Sequence, residues 1–159
     1  MITSPAKPAQ HTRKAETQAL VTVVPCGPRR GLVGIKVVAE PGVPSGEYFL
    51  PFTIEAEDAS HREYAYTGLT TAIDRLRSLR VDRVLIVVDD DTLVEELERR
   101  VEPPKELSLP YVILGCKLNE FRRAKIVAAH SSRLEQLRTQ TETLAATIYN
   151  TTLPLASAI

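Results

Sequence analysis

An uninterrupted apolar run, Val84-Leu85-Ile86-Val87-Val88, ends in three consecutive carboxylates, Asp89, Asp90 and Asp91, and a helical pattern begins at once behind them. Such a run is too short for a buried helix and reads as a strand covered on both faces. Its polar end must then emerge at the edge of a sheet, where carboxylates can meet hard divalent cations. This junction restricts the chain to folds with a central sheet flanked by helices, and it poses one functional question: do other segments bring further oxygen ligands to the same edge?

The remaining elements follow from pattern and punctuation. Leu20-Val21-Thr22-Val23-Val24 is a β-branched run stopped by Pro25 and Gly27, and the turn Gly27–Gly31 leads into a second strand, Leu32–Val38. A Pro/Gly-rich loop over 41–46 precedes a third strand over 47–56, whose Pro51 lacks a ladder donor and so predicts an edge position or a bulge. From Ser60 the period turns helical, with Tyr64, Gly68, Ala72, Leu76 and Leu79 near one face, and Gly68 marks a close approach to a neighbour. Thr92 and Glu95 have capping-box spacing and predict a short helix over 92–100. Tyr111–Cys116 reads as a fifth strand, and 120–150 as one long helix.

This order predicts an α/β domain over 19–150, with a five-stranded mixed sheet: three antiparallel strands, then parallel ones reached through helices. Residues 1–17 and 151–159 are read as tails. The chain has 159 residues, 43% hydrophobic, enough for one core. Lys+Arg and Asp+Glu are equal at 20 each, so no basic excess draws the whole molecule to nucleic acid. Cys26 and Cys116 form no metal-binding pair and predict a reducing, cytoplasmic setting, and no apolar run reaches the length of a membrane span. His11, His61 and His130 are isolated, and no P-loop, HExxH or GxSxG signature is present.

Four segments, in this order, resemble the ribonuclease H-like superfamily: Gly34–Val38 its second strand, Ser60-His61-Arg62-Glu63-Tyr64 its first helix opening, Val87–Val94 its strand-to-helix junction, and Asn119–Ala128 its last motif. The resemblance implies a cluster of carboxylates holding two Mg²⁺ or Mn²⁺ ions for phosphodiester hydrolysis. Transferred residue by residue, it gives Glu63 for the first-helix acid and Asp90, or Asp89 beside it, for the strand-four acid. The strand-one acid falls near Val23 or Val24, where there is none, and the last acid falls at Lys125.

The resemblance therefore implies an incomplete metal site, with Lys125 extending toward Asp90 or Glu63, and a catalytically inactive binding or scaffold module that needs no cofactor. The alternative is a working Mg²⁺- or Mn²⁺-dependent nuclease using Glu63, Asp90 and Asp89 or Asp91, with Glu40 or Glu120 substituting for a missing ligand. A third reading is a nucleic-acid binder contacting phosphates through Lys125, Arg122 and Arg123. Against all of these stands ordinary helix chemistry, since acids near helix N-termini are stabilised by the macrodipole. Finally, Val127, His130, Leu134, Leu137, Thr141, Leu144 and Ile148 step by threes and fours, which predicts a seam whose far half overhangs the domain and docks onto a second copy or another protein.

Overall fold

The computed structural model describes residues 16–38 and 45–150. Strands β1 (Thr17–Pro25), β2 (Arg30–Val38) and β3 (Gly46–Thr53) are followed by helix α1 (His61–Ser78), strand β4 (Arg83–Val88) and helix α2 (Asp91–Leu97). A 3₁₀ turn (Lys105–Leu107) then opens helix α3 (Ser108–Leu118), and strand β5 (Arg123–Ala128) and helix α4 (Ser132–Asn150) complete the order. The sheet order is β3-β2-β1-β4-β5. β1, β2 and β3 pair antiparallel, and β4 lies parallel between β1 and β5. This is the mixed five-stranded sheet expected. Pro51 does lie on an edge strand, where a residue without an N–H is tolerated.

Alternation divides the sheet into two covered faces. Val21, Val33, Ile35, Val84, Ile86 and Val88 join the larger core under α1, while Leu20 and Val87 meet Leu134 and Leu137 of α4 on the other face. At Gly68 an added Cβ would come within 2.6 Å of Val23 Cγ1, which is the close approach that its glycine predicted.

Two assignments need correction. Tyr111–Cys116 is helical, because Leu107, Tyr111, Leu114 and Leu118 recur at steps of four, three and four and pack into the core beneath α3. Pro110 is tolerated because it sits in the first turn, where backbone N–H groups have no intrahelical partner. The fifth strand is instead Arg123–Ala128, where Ile126 is buried and Arg123 and Lys125 are exposed. Ser131, whose hydroxyl accepts from Leu134 N at 3.2 Å, starts α4 afresh, so 120–150 is not one helix.

Nor does the far half of α4 overhang. Leu134, Leu137, Thr141 and Ala145 are all buried, at spacings of three, four and four, and Ala145 packs on Val24 and Leu32. Burying Leu134 and Leu137 stabilises the fold by roughly 1.5–3 kcal/mol each. Residues 1–15, 39–44 and 151–159, which include most of the first expected tail, the whole of the second and Glu40, lie outside the described residues, while Thr17, read as tail, is buried as the first residue of β1.

Candidate functional site

The C-terminal ends of β1 and β4 converge with the N-termini of α1 and α2 on a cleft of about 220 Å³. Val21, Val23 and Pro25 form its floor, Val88, Asp89 and Asp90 one wall, His61, Tyr64, Ala65 and Leu69 another, and Arg138 of α4 closes it. β1 thus presents valines where the sheet edge is reached, and the acids come from the end of β4.

Each aspartate has a separate partner. Asp89 follows the α4-facing residues of β4, so its carboxylate meets Arg138: Nε donates to Oδ2 at 2.8 Å and Nη2 to Oδ1 at 3.4 Å. Thr22 adds a third donor, Oγ1 to Oδ2 at 3.0 Å, and Arg138 Nη2 also reaches the Val23 carbonyl at 3.2 Å. Burial opposes the Arg138 charge, but the Asp89 hydrogen bond and charge outweigh it and raise its pKa. Asp90 turns to the other side and caps α2, accepting from Leu93 N at 3.0 Å. The cap is therefore Asp90, two residues ahead of the expected Thr92, because an aspartate in extended conformation already satisfies the first free N–H. Asp91 is exposed and meets His130 Nε2 at 2.8 Å.

Glu63 lies in the first turn of α1, whose N-cap Ser60 accepts from Glu63 N at 3.4 Å. Among the described residues, no three His, Cys, Asp or Glu side chains are grouped as metal ligands would be. Lys125 is exposed in the middle of β5 and pairs with Leu85, four and five positions before Asp89 and Asp90. At about 3.3 Å per residue that leaves it roughly 13–17 Å short along the strand. The cation at the acidic edge is Arg138, not Lys125.

Arg122 precedes β5 and Arg123 opens it at the end of the sheet opposite the cleft, where Arg122 N bonds Asp82 O and Arg123 meets Glu16 at 3.8 Å. Glu120 precedes them at that same end. Tyr64 and Tyr66 are not free to stack on a base. The Tyr64 hydroxyl is held between Arg29 N and Gly27 O, and Tyr66 is fully buried.

Sequence reading missed a second polar group behind the cleft. Glu96, 2% exposed, accepts from Tyr66 Oη at 2.6 Å and from Arg62 Nη2, tying α1 to α2. Burial opposes the Arg62 charge, but Glu96 and then Asp90 more than restore it. The signal was present: Glu96 falls on the apolar face that Leu93 and Leu97 define, as Arg138 falls beside Leu134, Leu137 and Thr141.

No family model matches this sequence, and neither does any curated protein. Solved structures do. The chain is similar to ribonuclease H1 from the archaeon Halobacterium salinarum (TM-score 0.64, 17% identity, 79% of this chain and 93% of that one). It is equally similar to the N-terminal ribonuclease H domain of Rv2228c from Mycobacterium tuberculosis (TM-score 0.64, 18% identity, 86% and 99%). LC11 ribonuclease H1, solved in complex with an RNA/DNA hybrid, follows (TM-score 0.61, 11% identity, 78% and 92%). Sheet order, crossovers and these superpositions agree: the chain has the ribonuclease H-like fold.

Proposed function

We propose that this chain is a ribonuclease H-fold binding module that does not hydrolyse phosphodiesters and needs no divalent ion. The observation that carries the reading is the commitment of Asp89 to Arg138 and Thr22. A pair of Mg²⁺ or Mn²⁺ ions requires several free carboxylate oxygens directed at one point. Here Asp89 is neutralised by a guanidinium, Asp90 caps a helix, Asp91 faces His130, and β1 supplies Val21 and Val23. A metal ion would have to displace Arg138 and would gain few oxygens in return. The donor set does not fit the two-metal centre that the fold implies, so no hydrolytic step is assigned.

A second reading concerns what the module holds. LC11 ribonuclease H1, of the same fold, was solved with an RNA/DNA hybrid, which favours nucleic acid as the partner. Arg138, with its side chain 36% exposed at the mouth of the cleft, is the group placed to meet a phosphate. A reducing, cytoplasmic setting fits the two free cysteines, and no helix among the described residues is long and apolar enough to cross a membrane.

The test is one preparation assayed two ways. A labelled RNA–DNA hybrid incubated with Mn²⁺ or Mg²⁺ should remain intact, and Mn²⁺ calorimetry should show no saturable heat. Cleavage that disappears in Glu63→Gln would overturn the reading. Salt-dependent hybrid binding, weakened by Arg138→Ala, would support the nucleic-acid partner.

A further inference from the structure

We infer that α3 is a self-association surface that takes a second, antiparallel copy of itself. This inference is independent of the cleft. One side of α3 packs on the core through Leu107, Tyr111, Leu114 and Leu118. On the opposite side Leu109 is 68% exposed, Val112 55% and Ile113 42%, and Cys116 is exposed as well. Their spacing of three, one and three makes a continuous stripe along the helix. A helix apolar on all sides is ordinarily covered on all sides.

What covers it is read from the charges at its ends. The stripe begins after exposed Lys105 and stops before exposed Glu120. A twofold axis through the midpoint of Val112 and Ile113 pairs Val112 with the second copy's Ile113 and Leu109 with its Cys116. The same axis brings Lys105, in the 3₁₀ turn before α3, toward its Glu120, just past the C-terminal cap, at both ends. No shift of register is needed to satisfy all three pairings, and a C2 interface requires this kind of self-complementarity. A parallel pairing would set Lys105 against Lys105 and Glu120 against Glu120. The contact is much smaller than the roughly 20–30 residues a side of a standard interface, so the dimer is weak and responds to concentration.

Sedimentation velocity on the full chain from about 10 μM to about 1 mM covers the affinity range expected of so small a contact. The expected result is a reversible shift from monomer to dimer mass. Val112→Glu should weaken the dimer by about tenfold or more. Lys105→Glu should weaken it by about threefold, and Lys105→Glu combined with Glu120→Lys should restore it. A Leu109→Cys variant, in a Cys26→Ser background with copper–phenanthroline as oxidant, should form a covalent dimer through 109–116 disulfides. The parent carrying Cys116 alone should not, because twofold pairing leaves the two Cys116 residues about seven residues apart along the helix, roughly 10 Å, beyond disulfide reach.

Monomer mass at every concentration would overturn the inference. So would crosslinking through Cys116 alone, or a double charge swap no better than the single one. A monomer in which Cys116 resists maleimide would assign the stripe to another segment of the same chain and would overturn it equally.

Discussion

The Arg138 guanidinium of α4 grips the Asp89 carboxylate at the end of β4, with Nε 2.8 Å from Oδ2. The two residues lie 49 positions apart, and their contact joins the last helix to the central strand at the mouth of the cleft. The ion pair therefore ties α4 to the sheet and balances the charge of Asp89 at the cleft.

Removing either partner should therefore be costly, and removing both much less so. In Arg138→Ala, Asp89, with its side chain 15% exposed, keeps only Thr22. The loss should be about 1–2 kcal/mol, toward the low end for a broken buried pair because Arg138 is itself one-third exposed. The double variant Arg138→Ala with Asp89→Ala should lose less than the sum of the single changes. Urea denaturation of the four proteins measures the coupling, and strict additivity would show that the contact contributes nothing.

The acidic junction was legible because an apolar strand and a capped helix are local patterns. Val84–Val88, Ser60 and Gly68 each announced their role through neighbours in sequence. α3 and β5 were not legible in the same way. Val112 and Ile113 fill the exposed side of α3, so the 107-111-114-118 period was submerged in an apolar run that looks like a strand. The strand alternation at 124, 126 and 128 was hidden by reading through Ser131 without treating it as a cap. That error placed Lys125 in a helix, while its expected reach toward the cleft came from the resemblance. Lys125 was expected toward Asp90 or Glu63 and no basic side chain was assigned to Asp89; that Arg138 is its partner depends on how α4 crosses the sheet, which no local pattern reveals.

Glu96 should be the most sensitive polar residue in the protein. Glu96→Ala would strand the Tyr66 hydroxyl and a largely buried Arg62, at about 3–5 kcal/mol. Tyr66→Phe removes one neutral-to-charged hydrogen bond and should cost about 1.5–3 kcal/mol. Thermal and urea melts rank the two, and equal losses would mean that Arg62 contributes nothing to the group.

The same phenol sets an alkaline limit. Burial first, and then hydrogen bonding to Glu96, push the Tyr66 pKa well up. Above about pH 10 the unfolded chain releases this proton while the folded chain retains it. Stability must then fall with rising pH, because the native state binds more protons than the unfolded one. Denaturation from pH 9 to about 11 should show this fall, and Tyr66→Phe should flatten its share of the slope. An unchanged slope would remove Tyr66 as its source.

His130 titrates in the opposite region. Its hydrogen bond to Asp91 and the attraction of that charge raise its pKa. The pair's contribution is fully present below the unfolded value of about 6.5 and is lost as pH rises through the folded value. An NMR titration of the His130 ring should show the elevated midpoint. Asp91→Asn should bring it down, and added salt should narrow the difference because both groups face solvent. A midpoint indifferent to Asp91→Asn would break the assignment.

The closeness of α4 to the sheet depends on Gly34. A Cβ built there would lie 2.1 Å from Thr141 Oγ1 and 3.4 Å from the Phe49 ring, so an alanine has no room unless the helix moves. Thr141 is itself fully buried, and its hydroxyl is tied back to the Leu137 carbonyl at 2.7 Å, so it cannot swing aside freely. Gly34→Ala should cost about 1–3 kcal/mol through overpacking. The loss should act at a distance too. Arg138 lies on α4 one turn before Thr141, so a helix pushed outward withdraws the guanidinium from Asp89. Gly34→Ala should therefore weaken the Arg138–Asp89 coupling in the double-mutant cycle, and adding Thr141→Ala, which empties the space the new methyl needs, should restore both stability and coupling. Recovery of stability without recovery of coupling would show that the helix position does not govern the ion pair.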